Sequence, residues 1–146
     1  MKKIGLLLPF LALGLSIASC TKEGCTNIEA TNYSPDANQN DGSCSYKGNI
    51  VFWASPVVSD SLISLGHDFL RFEVEGEYVD SISTAVFFAA GGECNLTGTI
   101  TNQRTFVGDT KRYYKYRVKG AGFETLQEDI ILLNANDCEA VEIVID

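Results

Sequence analysis

From Gly48 to the end of the chain, apolar and polar residues alternate, and turn-forming residues break the alternation every ten or so positions. An extended strand sends successive side chains to opposite faces, so a period of two fits strands with one buried and one wet face. Short strands at this spacing point to an all-β sandwich. In residues 70–75 the alternation is clean: Leu70, Phe72 and Val74 belong inside, while Glu73 and Glu75 belong on the solvated side. Gly76 turns the chain into a hairpin whose return arm covers 78–82. Other strands are expected at 50–54, with Phe52 and Trp53 on opposite faces, and at 85–90, a continuous apolar run suited to a central position. Segments 98–101, 105–107, 111–118 and 130–133 follow, and Val141, Ile143 and Ile145 share one face of a last strand. Residues 55–67 are rich in serine and contain Pro56, so they are expected as a loop with Leu62, Ile63 and Leu65 tucked beneath it. No segment carries a helical stripe, and helix content should be low.

The first twenty residues are of another kind. Lys2 and Lys3 precede an apolar run over 4–17. About 14 residues at ~1.5 Å each are too few to cross a hydrocarbon core of ~30 Å as a helix. Small residues Ala18 and Ser19 follow, as a cleaved secretory signal requires. The ending Ile17-Ala18-Ser19-Cys20 resembles the bacterial lipobox. That resemblance implies removal of 1–19 as a lipoprotein signal peptide, a diacylglyceryl thioether on Cys20, and acylation of the new amino terminus. Two or three acyl chains, at ~0.8 kcal/mol per buried methylene, hold a protein durably to a membrane. Thr21-Lys22-Glu23 resembles a surface-export signal of Bacteroidota lipoproteins, with one acid before Gly24 interrupts the run. Without that resemblance, 20–23 is a lipidated anchor followed by a solvated linker. The expected location is the cell envelope, lipid-anchored at the outer membrane, with exposure at the cell surface where the signal is read.

The formal charge of the chain is −8, and removing 1–19 leaves nine basic side chains against 19 acidic ones. Such a surface repels nucleic acid and anionic headgroups, so nucleic acid is not an expected partner. The cysteines are Cys20, Cys25, Cys44, Cys94 and Cys138. Lipidation of Cys20 leaves four, which allow three pairings. Locality favours Cys25 with Cys44 and Cys94 with Cys138. Scattered cysteines without a CxxC pair, in an exported protein, fit disulfides better than a zinc site.

Residues 24–46 contain Gly24-Cys25-Thr26, Asn32-Tyr33-Ser34-Pro35-Asp36-Ala37 and Asp41-Gly42-Ser43-Cys44-Ser45-Tyr46. This segment resembles a short cysteine-bounded repeat of exported Bacteroidota proteins, departing from it at Asn27, where the repeat has Asp. Its Asn, Asp, Gly, Ser and Pro demand turns, and with so few apolar residues a disulfide has to hold its shape. Asp36, Asn38, Asn40 and Asp41 offer alternating oxygens, which makes calcium the one candidate cofactor. Gly42 falls one position late for an EF-hand-like loop, and turn chemistry accounts for the same residues.

Residues 47–146 carry a further likeness. Phe72-Glu73-Val74-Glu75-Gly76-Glu77-Tyr78-Val79, Gly92-Glu93-Cys94, Tyr113-Tyr114-Lys115-Tyr116 and Asn136-Asp137-Cys138 resemble small Bacteroidota lipoproteins with a prealbumin-like or PEGA-like sandwich. Glu75 stands where that hairpin carries Asp. The resemblance implies a single antiparallel sandwich of prealbumin-like or immunoglobulin-like type, with a disulfide from mid-domain to the last strand, here Cys94 to Cys138.

No residue set assembles into a catalytic constellation. His67 is the only histidine and sits in a polar stretch. Glu73 and Glu75, the nearest approach to a paired carboxylate site, share the wet face of one strand. An enzyme is therefore not expected. The concentrated feature is basic: Lys111, Tyr113, Lys115, Arg117 and Lys119 align outward on one strand, with Tyr114, Tyr116 and Val118 inward. Segment 104–119 holds six of the nine basic residues left after residue 19. It is either a docking strip for an anionic glycan or an acidic protein, or an edge strand guarded by lysines against pairing. The expected function is a non-enzymatic binding or structural module at the cell envelope. The alternative is an accessory subunit of a surface uptake or adhesion complex.

Overall fold

The structure, a computed structural model, describes residues 21–85 and 91–145. The signal peptide expected at 1–19, the lipidation candidate Cys20 and all but Ala85 of the strand expected at 85–90 lie outside the described residues. Two short strands, β1 (Glu23–Gly24) and β2 (Gln39–Asn40), pair in the N-terminal module. The body contains β3 (Ser45–Trp53), α1 (Pro56–Ser64), β4 (Phe69–Val74), β5 (Glu77–Ser83), β6 (Ile100–Val107), β7 (Lys111–Lys119), β8 (Thr125–Asn134) and β9 (Cys138–Glu142).

These strands build the expected all-β sandwich from a three-stranded sheet, β6-β3-β9, and a four-stranded sheet, β5-β4-β7-β8. The body pairings are antiparallel except β3 with β9, which is parallel in the register Asn49↔Cys138. The exception follows from the connection. After β8, a short turn carries the chain across to the other sheet, where Asn136 N donates to Lys47 O (2.6 Å) and Asn49 N to Asp137 O (2.9 Å). The last strand thus enters beside the sandwich's first long one.

Alternation fills the interior as the sequence implies. Leu70, Phe72, Val74, Tyr114, Tyr116 and Val118 from the larger sheet face Ile50, Phe52 and Val141 from the smaller. Aromatic rings knit the layers: Phe52 lies 4.9 Å from Phe72 and meets Tyr116 edge-on at 5.6 Å, while Phe106 meets Tyr114 edge-on at 6.4 Å. Burial raises the hydroxyl pKa of both Tyr114 and Tyr116, because the phenolate would lose its water. A side chain at Gly48 would lie 2.7 Å from Asn134 O and 2.8 Å from Leu133 Cγ, so only glycine lets β3 cross β8 this closely.

The expected hairpin forms with a two-residue loop, Glu75 (φ 55°) and Gly76 (φ 78°), between Val74 and Glu77. Positive φ at both positions matches the right-handed twist of the flanking strands. Side chains lace the two open seams between the sheets. Arg104 donates to Glu77 Oε2 and to Val74 O, each at 3.0 Å, joining the β5 and β6 sides. Gln127 donates to Glu142 O and accepts from Val144 N, both at 3.1 Å, joining β8 to the chain at β9.

Three expectations change. The stretch 55–67 is not all loop but includes α1, whose start is set by Ser55, accepting from Val58 N, with Pro56 at the first turn. Leu62 is buried, whereas Ile63 and Leu65 are exposed. A nine-residue helix with one buried leucine has too narrow an apolar row to show as a stripe. The two short strands expected at 98–101 and 105–107 merge into β6, because the polar residues between them sit on an edge strand that pairs with β3 throughout. Finally, the basic strand β7 is not an edge. It lies between β4 and β8, so protection of an edge cannot explain its lysines.

The N-terminal module is folded onto the sandwich. Cys25 and Cys44 are bonded, as are Cys94 and Cys138, the pairings that locality favoured. Thr31 N donates to Ser45 O at 2.7 Å, Gly108 N to Cys44 O at 2.9 Å, and Asn136 Nδ2 to Glu29 O at 2.9 Å. β3 starts at Ser45, and Tyr46 is buried in the common core, so module and sandwich share a strand. Lys22 and Glu23, expected in a solvated linker, are bound into the fold instead, because Asn38 and Gln39 supply backbone and side-chain partners to them.

Candidate functional site

The site is built on the outer face of the four-stranded sheet. On β4 the odd positions Arg71 and Glu73 point away from the core, and the β4–β7 register sets Arg71 opposite Lys119 and Glu73 opposite Arg117. The β7–β8 register adds Glu128 opposite Arg117 and Ile130 opposite Lys115. Four cations from two strands thereby surround two carboxylates.

Glu73 sits at the centre. Its side chain is only 10% exposed, with Lys119 Nζ at 2.9 Å, Arg71 Nε at 3.6 Å and Arg117 Nη1 at 3.9 Å. This corrects the expectation of a solvated Glu73: the neighbouring strand supplies a roof of long cationic side chains that no local pattern reveals. Glu128 binds Lys115 Nζ at 2.6 Å and Arg117 Nε. The Arg117 hydrogen bond, with Lys115 beside it, holds the Glu128 carboxyl below the usual glutamate range, and the same bond raises Arg117. Glu75 Oε1 accepts from the Lys115 backbone N–H at 2.6 Å, fixing the hairpin turn over β7.

Within this network Arg71, Lys115, Arg117 and Lys119 exceed Glu73 and Glu128 by two positive charges, on a chain whose net charge is −8. Aromatic rings border it. The Arg71 guanidinium lies 4.4 Å from the Tyr78 ring centre and 5.8 Å from that of Phe123. Both rings are exposed, as is Tyr113. Arg71 Nε is buried without a hydrogen-bond partner, with Glu73 Oε1 at 3.6 Å, just beyond hydrogen-bond reach. Chemically, the face can attract and orient an acidic group through forked guanidinium donors and stack flat surfaces beside it.

Of the strand residues expected to face outward, Lys115, Arg117 and Lys119 belong to this network. Lys111 and Tyr113 lie at the far end of β7, lining a shallow cavity of about 490 Å³ with Asp109, Arg112 and Leu132. Arg71, Tyr78, Phe123 and Glu128 were missed. The alternation in 70–75 fixed the face of Arg71, but which strand lies beside β4 is not written locally.

The other candidates fall elsewhere. His67 Nδ1 lies 3.0 Å from Glu124 Oε1, clasping the loop after α1 to the turn after β7. A side chain at Gly120 would come within 2.6 Å of the His67 ring, so that turn needs glycine to admit the clasp. In the module, Asp36 pairs with Lys22 at 3.5 Å. Asn38 Oδ1 accepts from Lys22 N, Asn40 Oδ1 from Gly42 N and Asp41 Oδ1 from Ser43 N, at 2.9–3.0 Å. Hydrogen bonds from the Ser43 side chain and backbone lower the Asp41 pKa. These oxygens serve turns and the clasp on Lys22. Among the described residues no three acidic, histidine or cysteine side chains gather as a metal-holding group. A further cavity, about 690 Å³, lies against α1 between Val57, Ser61, Leu65 and Ile145.

No family model matches the chain, and no curated protein and no solved structure shows significant similarity to it.

Proposed function

We propose that this protein is an exported, lipid-anchored envelope lipoprotein, acting as a non-enzymatic binding or structural module on its disulfide-braced sandwich. The observation that carries the reading is the cysteine account. Cys25, Cys44, Cys94 and Cys138 are paired, and the one cysteine left over is Cys20, directly behind the lipobox-like Ile17-Ala18-Ser19. Two disulfides belong to an oxidising compartment. Replacing Cys20 by Ser should move the protein from the membrane fraction to the soluble one. Retention of Cys20→Ser in the membrane fraction contradicts the anchor.

The binding surface in this reading is the cationic, aromatic-bordered face around Arg71, Lys115, Arg117 and Lys119, and its ligand is an anionic glycan or an acidic protein segment. A second reading, an accessory subunit of a surface uptake or adhesion complex, draws support from the mixture on this face of arginine with exposed Tyr78, Tyr113 and Ile130, a composition typical of protein interfaces. Exchanging Lys115 and Arg117 for Glu should abolish capture of the ligand on cells. Co-purification of a stoichiometric protein from detergent extracts, lost in the same variant, selects the second reading.

A further inference from the structure

Almost no chain separates the lipidation candidate from the folded body. Lys22 N donates to Asn38 Oδ1 at 3.0 Å, and Lys22 O accepts from Asn38 N at 2.9 Å and Gln39 N at 3.2 Å. Glu23 and Gly24 then pair with Gln39 and Asn40. The next residue, Cys25, is bonded to Cys44, whose carbonyl accepts from Gly108 of the sandwich. From residue 22 onward each step toward the core is fixed by a hydrogen bond, a strand pairing or a disulfide. An extended residue spans at most ~3.6 Å, so the Lys22 Cα stands within about 7 Å of the Cys20 Cα.

We infer that the disulfide-bounded module is a foot that seats the sandwich directly on a phospholipid headgroup layer in one orientation. The inference rests on lipidation of Cys20. The contact surface is the rim beside the tether: Lys22, Glu23, Asp36, Asn38 and Asn40, each exposed. Its chemistry matches the interface and not the hydrocarbon. The named rim side chains are polar, so they have nothing to bury among acyl chains, and Lys22 is paired with Asp36, so the rim offers no surplus positive charge to anionic lipid. A zwitterionic headgroup layer is the surface it fits: side-chain amide N–H groups donate to the headgroup phosphates, and the carboxylates face the quaternary ammonium groups. The consequence reaches the rest of the molecule. The cationic face of β4 and β7 is held at a set height and angle above the bilayer, and a partner must approach from one side.

The sole tryptophan, Trp53, provides the probe. Mature acylated protein is placed in phosphatidylcholine vesicles containing a dansyl-headgroup lipid, and energy transfer from Trp53 and its time-resolved anisotropy are recorded. It is compared with a variant carrying eight Gly/Ser residues between Thr21 and Lys22, which adds about 16 Å of root-mean-square reach, and with Asn38→Ala, which removes the side-chain acceptor for Lys22 N. The foot requires that native protein lack a nanosecond whole-body rotation on the vesicle. The insertion should introduce that rotation and reduce transfer, with Asn38→Ala in between. Native protein that already rotates freely, with transfer equal to that of the insertion variant, overturns the foot while leaving the anchor intact. Intact mass is measured on the same sample. An unacylated amino terminus removes both the anchor and the foot.

Discussion

Glu73 shows how much a single buried carboxylate organises. Held at 10% exposure among Arg71, Arg117 and Lys119, it fixes the register of β4 against β7 from the outer side, while Phe72 and Val118 fix it from the core. Glu73→Gln keeps the shape but leaves three half-exposed cations short of a countercharge. It should cost about 1–2 kcal/mol, with solvent screening keeping it below a fully buried ion pair; urea unfolding measures the loss. Glu128 differs because it is open to solvent. Its folded pKa is depressed below the ordinary 4.5 by Arg117 and Lys115, so its contribution is present above that value and is lost as pH falls through the lower folded one. Acid titration of stability should therefore steepen below about pH 4.5 in the native protein and flatten there in Glu128→Gln. Equal slopes for the two proteins would show that the pair contributes nothing.

Local elements were legible where their pattern is local. Alternation in 70–75 gave β4, Gly76 gave the hairpin, and the outward and inward sets on β7 were read correctly, because a period of two needs no knowledge of the partner. What was not legible depends on contacts distant in sequence. Glu73 looked solvated because the cations that cover it come from β7, Lys119 being 46 residues away. The interior position of β7, the parallel entry of β9 and the Arg104 lacing are of the same kind. The helix α1 is a different failure. Its signal is present in Ser55-Pro56, a capping residue followed by a proline at the first turn, but a proline in a serine-rich stretch marks a loop equally well. Ser55→Ala removes the side-chain acceptor for Val58 N and should cost about 1 kcal/mol, read as a lower thermal midpoint. No change would mean that the buried Leu62 alone fixes the helix.

At the scale of the molecule, a modest sandwich is braced at two places. Cys25–Cys44 closes the module, and Cys94–Cys138 ties the loop before β6 to the start of β9. In the chain-entropy account, a loop of the latter's span contributes about 4 kcal/mol by restricting the unfolded chain. The double variant Cys94→Ser, Cys138→Ser should lose stability on that scale in denaturant unfolding while keeping its strand spectrum. The two cysteine pairings were readable from counting and locality. The integration of module and sandwich was not, since it rests on backbone bonds such as Thr31 to Ser45 and Gly108 to Cys44. In the proposed reading, the odd cysteine behind a segment that resembles a secretion signal, with its four companions bonded, gives the molecule its address. The most direct test is the intact mass of protein extracted from the envelope, with thiol alkylation before and after reduction. The expected species begins at Cys20, carries added acyl mass, takes up no alkylating label unreduced and takes up four after reduction. A chain that begins elsewhere, lacks acyl mass or labels without reduction contradicts the account.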